Sequence, residues 1–271
     1  MRTSEIIVLG YLVYVAAVAI ARPLPRASRV RLLAWGLGLL GLVVGLVTAP
    51  AWPLLWLVRD AAPVVYIFIC YHLSGPLFTT PQPGVEAQFA AFDARVQRLF
   101  GMPASIARAP RGVPEFLEGA YFGCYVGLPA GYLALALAGH WAWTDRYWSL
   151  VLVAELACYA MLPWIRTRAP WSLELPGPID RREVTLRWVN RFVIRHVSIQ
   201  VNTFPSAHTA GVLAAALGVA PVMPLTGVLL LLLAASIAAA TIVGRYHYAG
   251  DAVAAVASTL AVWAGFSIAG W

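Results

Sequence analysis

The chain alternates long apolar runs with short polar breaks. Residues 4–21, roughly 32–49, 61–78, 117–139, 147–164, 207–221, 225–243 and 248–270 are each apolar over about the length of a membrane-crossing helix, near 20 residues. This pattern predicts an all-α fold: a polytopic integral-membrane helical bundle of about eight spans. Residues 84–100, G-V-E-A-Q-F-A-A-F-D-A-R-V-Q-R-L-F, follow another rule. Phe89, Phe92, Val96, Leu99 and Phe100 recur at three- and four-residue steps, with Glu86, Asp93, Arg95 and Arg98 elsewhere. That spacing predicts an amphipathic helix lying in the membrane interface. Within the long polar segment 165–204, Trp188, Phe192 and Arg195 share one helical side, which predicts a short surface helix.

Composition agrees with the pattern. Of 271 residues, 61% are hydrophobic and 11% charged, too apolar a balance for a soluble protein of this size. No internal repeat or low-complexity linker divides the chain. It reads as a single membrane domain, 1–271, with two accessory N-terminal spans in 1–50 and the main body in 60–271. Residues 19–21, A-I-A, look like a signal-peptide cleavage site, but the first apolar run is long for a signal peptide and is read as a retained helix. The basic residues are all Arg, and the net charge is +7. They lie in short loops between spans, so an anionic membrane or substrate fits and a nucleic acid does not. Cys70, Cys124 and Cys158 fall in separate apolar runs and are read as packing residues.

Two short stretches carry the chemistry. Asn202–His208, N-T-F-P-S-A-H, ends the Arg-rich segment and opens a small-residue apolar helix. Pro205 and Ser206 suit a helix start, and the free N–H groups of such a start make an anion site. The same residues also serve as a plain polar cap on a membrane helix. The second stretch is Gly244–Asp251, G-R-Y-H-Y-A-G-D, between the last two spans. His247 and Asp251 are four residues apart and share a helical face. A carboxylate bonded to one imidazole nitrogen fixes the tautomer and leaves the other nitrogen free as base or nucleophile. A structural His–Asp pair at a helix end is the plainer alternative. Two histidines and an aspartate are also a donor set for a divalent ion. The Arg-rich surroundings favour a bound phosphate over a cation. Eight alternating spans put both stretches and the Arg-rich loop on one membrane face.

P-S-A-H followed by H-Y-x-x-D resembles the type 2 phosphatidic acid phosphatase superfamily, closest in form to its branch of inositolphosphoryl- and phosphocholine-transferring lipid synthases and their bacterial relatives. The resemblance implies His247 as nucleophile, Asp251 as its orienting partner and His208 as general acid. It implies phosphate contacts from Ser206 and Ala207, which stands where the family often has Gly. The family's first motif is a Lys, six residues, then Arg-Pro; here P-W-I-R-T-R-A-P, 163–170, has no Lys. Arg168 is the best match for its phosphate arginine and Arg166 the next. The third motif's usual arginine position holds Thr241, leaving Arg245 to take that role.

The function so implied is an integral-membrane lipid-phosphate phosphatase or phosphotransferase working through a phosphohistidine, with no metal or other cofactor. The alternatives are a lipid synthase moving a phospho-headgroup between lipids, and a non-enzymatic lipid-binding or transport protein with an idle phosphate site. The expected partners are a phospholipid or prenyl-phosphate substrate and the bilayer of the cell membrane. On the eight-span arrangement sixteen arginines lie in loops on the site's face and three on the other, which predicts a cytoplasm-facing site.

Overall fold

The protein is described here by a computed structural model covering residues 1–173 and 184–270. Arg181 and Arg182 of the Arg-rich loop lie outside the described residues. Those residues form twelve α-helices and no strand. In order they are α1 (Thr3–Ala21), α2 (Arg26–Thr48), α3 (Leu55–Ser74), α4 (Pro83–Leu99), α5 (Met102–Arg108), α6 (Gly112–Phe122), α7 (Cys124–Leu137), α8 (Thr144–Ala160), α9 (Thr185–His196), α10 (Ala207–Val219), α11 (Pro224–Val243) and α12 (Ala249–Ile268).

Five helices are long and apolar enough to cross a membrane: α1, α2, α3 with the short turn that extends it to Leu77, α11 and α12. A sixth is obtained if α6 and α7, bent by 61° at Gly123, count as one span. That bend departs from the single run expected over 117–139. Gly123 makes it possible: a Cβ there would lie 2.9 Å from the Ala120 carbonyl and 3.0 Å from Leu233. Two helices over expected apolar runs fall outside this set: α10 is apolar but short, and α8 is short and carries three charged residues. α8 has 17 residues and α10 has 13.

α10 is the centre of the bundle, packed by α7, α8, α11 and α12. Its sequence A-H-T-A-G-V-L-A-A-A-L-G-V is rich in Ala and Gly, and small residues let neighbouring backbones come close. α1 runs along α8, while α2 packs on α1 and α3 at the outside. α2 begins at Arg26, six residues before its apolar run. Arg26, Arg29 and Arg31 therefore sit in its first turns rather than in a loop, where long arginine stems reach outward from a helix end.

Ion pairs tie the starts of α1, α3 and α8 at one end of the bundle. Asp145 accepts from the N–H groups of Thr3 at 2.8 Å and Ser4 at 3.1 Å, capping α1 from another helix. Buried Glu5 takes Arg59 through both oxygens, at 2.7 and 2.8 Å, and Asp60 pairs with Arg2. Trp143 Nε1 donates to the Gly218 carbonyl at 2.7 Å, bringing the end of α10 to the same place. The starts of α10 and α12 lie at the opposite end, with the loop that follows α8.

The α10–α11 turn is packed down to the backbone. A Cβ on Gly227 would lie 2.8 Å from the Ala220 Cα and 2.7 Å from its Cβ. Gly227→Ala is expected to lower the thermal unfolding midpoint in detergent, by the about 1–3 kcal/mol typical of overpacking. Gly41→Ala, in open surroundings on α2, should leave the midpoint unchanged or raise it. Equal midpoints for the two variants would mean that the turn is slack.

Candidate active site

The site is built on one buried carboxylate. Asp251, in the first turn of α12, is fully buried. Its Oδ2 accepts from the Tyr248 N–H at 2.9 Å, from Asn202 Nδ2 at 2.9 Å, and faces His247 Nδ1 at 3.3 Å. Its backbone carbonyl accepts from the Ser206 N–H at 3.0 Å. Asn202 also donates from Nδ2 to Thr167 Oγ1 at 3.0 Å and from its N–H to the Thr167 carbonyl at 3.1 Å. One aspartate thus joins the 163–170 loop, the approach to α10 and the start of α12. These are the three stretches that the sequence places on one face.

His208 enters from the first turn of α10. Its ring meets the His247 ring edge to face, with centroids 5.6 Å apart. Tyr121 and Tyr125 pack on its other sides at 5.3 and 5.8 Å. Ala207, His208 and His247 all line one cavity of about 30 Å³, room for a water or two. With Nδ1 of His247 turned to Asp251, Nε2 is the nitrogen left for chemistry.

Ser206 is fully buried and caps α10: its Oγ accepts from Thr209 Oγ1 at 3.3 Å and from the Thr209 N–H at 3.5 Å. It does not line the cavity, whereas Ala207 does. Among the described residues, no three His, Cys, Asp or Glu side chains gather closely enough to hold a metal ion. The oxygen that Asp251 turns to His247 is already engaged by two N–H donors.

The arginines lie elsewhere. Arg168 forms a two-pronged pair with Glu86 at 3.0 and 2.8 Å, and Arg245 pairs with Asp93. Arg166 donates to the carbonyls of Thr80 at 2.8 Å and Pro163 at 2.7 Å. None of the three lines the cavity of the histidines. Arg245 holds a left-handed φ of +65°, uncommon for a residue with a Cβ.

Both carboxylate partners come from α4, and neither was read from the sequence as a site residue. The face assignment of α4 also changes. Glu86, Phe89 and Asp93, at steps of three and four, point inward, with Phe89 packed on Phe204 and Tyr248. Phe92, Leu99 and Phe100 are exposed together with Arg95 and Arg98. Charge pairing with Arg168 and Arg245 has overridden the apolar periodicity. The signal available in the sequence was the seven-residue spacing of the two acids, which repeats one helix face. Glu118 is a further such residue. It accepts from Arg187, Asn190 and Tyr246, and the Tyr246 ring stacks on Tyr121 at 3.9 Å behind His208.

Compared with protein-family models, with curated proteins and with solved structures, the chain matches none.

The Arg168 guanidinium holds the Glu86 carboxyl below the usual carboxylate range. A group depressed on folding stabilises the fold above its unfolded value, near 4.3 for Glu, and that contribution is lost as pH falls through the folded value. The unfolding midpoint should therefore drop on acidification below about pH 4. Glu86→Gln should flatten part of that drop. A variant with the wild-type profile would show that this pair adds nothing to stability.

Proposed function

We propose that the protein is an integral-membrane lipid-phosphate phosphatase or phosphotransferase that acts through a phosphohistidine at His247. The observation that carries this reading is the shared cavity. An imidazole held by a buried carboxylate meets a second imidazole edge to face, with centroids 5.6 Å apart, and both border the same water-sized cavity. This is the arrangement that double displacement at phosphorus requires. Asp251 accepts the Nδ1–H of His247, so the Nε2 lone pair attacks phosphorus. The lipid alkoxide leaves with the proton of His208. Water or an alcohol then attacks the phosphoryl group, His208 takes the proton, and the P–N bond breaks. Phosphate oxygens would meet the start of α10. There the N–H groups of Ala207 and Thr209 make only long bonds of 3.5 Å, to Thr203 and Ser206, which an anion can replace.

In the membrane arrangement proposed here, α1, α2, α3, the α6–α7 pair, α8, α10, α11 and α12 give eight spans. α4 lies in the interface with Phe92, Leu99 and Phe100 toward the lipid. The excess of arginine on the site's face orients it to the cytoplasm.

One observation favours a second reading, a lipid-binding protein with an idle phosphate site. Arg166, Arg168 and Arg245 are all engaged by the protein itself. On the catalytic reading, substrate phosphate competes with Glu86 and Asp93 for Arg168 and Arg245.

Purified protein in mixed micelles with phosphatidic acid or a prenyl diphosphate should release inorganic phosphate, or pass the phosphoryl group to an added lipid alcohol. His247→Ala and His208→Ala should each reduce turnover by about 100-fold or more with the unfolding midpoint kept. A folded His247→Ala protein with most of its activity would sink the phosphohistidine mechanism. Lipid binding without any turnover would favour the second reading.

Asn202→Ala tests the anchoring of Asp251. It removes one of the two N–H donors to Oδ2 and leaves both histidines in place. The expected result is a fall in kcat with KM little changed, because Asp251 orients the nucleophile rather than the substrate. A rise in KM alone would assign Asn202 to binding.

A further inference from the structure

An apolar cavity of about 410 Å³ lies between α3, α7, α8 and the end of α9. It shares Tyr71, Tyr125, Ser198 and His208 with the smaller cavity of the histidines. Leu128 and Trp148 form its inner wall. Val64, Phe68 and Phe122 also line it and are exposed on the outside of the bundle, so it opens sideways between helices. In a membrane protein that side faces hydrocarbon.

One lining group is foreign to such a wall. Glu155, near the middle of α8, is buried and lines this cavity. Tyr159 donates its hydroxyl to Oε2 at 2.8 Å, and among the described residues no other donor reaches the carboxylate. Oε1 rests over Gly211: a Cβ there would lie 2.0 Å from it. Gly211 is three residues beyond His208, so the carboxylate sits about one helical turn, roughly 5 Å, deeper along α10 than the histidine. A buried carboxyl with so few partners is costly, and an ionisable group among spans points to function. The lowest-cost way to satisfy it from within a hydrocarbon-lined space is a hydrogen-bond donor carried on a hydrocarbon chain.

We propose that this cavity takes one chain of a bilayer lipid and that Glu155 selects chains bearing a hydroxyl or amide N–H close to their polar end. Wall and rim exclude water and hold methylenes. The free Glu155 oxygen accepts the donor. The selection is one of binding and stands whether or not His247 turns over.

The test uses two probes that differ only in the donor, N-hexadecylacetamide and hexadecyl acetate. Each competes with a fluorescent single-chain lipid on purified protein in phosphatidylcholine nanodiscs. Wild-type protein should prefer the amide by about tenfold, the size of one hydrogen bond to a carboxylate. Glu155→Leu should lose the preference. Glu155→Gln, which keeps the size of the side chain, should cut it by at least about threefold. Ile67→Trp fills the cavity from the α3 side with Glu155 unchanged and should weaken both probes. Equal affinities in wild type overturn the proposal, as does a preference that survives in Glu155→Gln, or undiminished binding in a folded Ile67→Trp protein. His247→Ala should keep the wild-type preference, so a failure of the catalytic reading is told apart from a failure of this one.

Discussion

A carboxylate stripped of water needs hydrogen-bond donors, and the end of the bundle that carries the histidines is arranged to bring them to one oxygen of Asp251, Oδ2. Its partners come from two separate places in the chain: Asn202 before α10, and the adjacent His247 ring and Tyr248 backbone at the start of α12. Asn202 in turn holds Thr167 in the loop after α8. The orientation of the imidazole and the closure of three loops are thus one problem with one solution. An interaction that orients the His247 imidazole also fixes the fold locally, so substitutions at Asp251 act on both.

The same logic governs α4 with opposite consequences. Its inward carboxylates hold Arg168 and Arg245, so the positive charge that the composition promises near the site is already compensated. The positive charge nearest the histidines is instead the partial charge at the start of α10, delivered by backbone that needs no counter-ion. An anion reaching this site would be met first by dipoles and only afterwards by arginines released from α4. On the proposed reading, that order separates recognition of a phosphate from its full neutralisation.

Much of this was legible in the sequence, for physical reasons that can be named. Runs of apolar residues have few alternatives to helix, so all eight runs are helical in the structure, most of them within a few residues of the expected ends. The convergence of Asn202–His208 with His247 and Asp251 followed from counting crossings. What escaped was set by pair interactions between distant residues, which one-dimensional periodicity does not hold. The start of α2 at Arg26 depends on where arginine heads reach water. The 61° bend at Gly123 depends on the approach of Leu233. The inward acids of α4 depend on arginines more than 75 residues away. Glu155 had a signal of its own, a lone acid within an apolar run, and that signal was outweighed by the two histidine stretches.

The shortness of α10 has a mechanical consequence. Thirteen residues cover about 20 Å, against about 30 Å of bilayer hydrocarbon. With α10 as a proposed span, its ends cannot both reach headgroup level, and the first turn with His208 sits in a dimple of the surface rather than on it. α11 and α12, packed against α10, have 20 residues each, so the recess is walled by protein rather than by thinned lipid. The depth of that dimple is set by the difference in length between α10 and its neighbours, so a headgroup reaches the two rings only by dipping below the surface between protein walls.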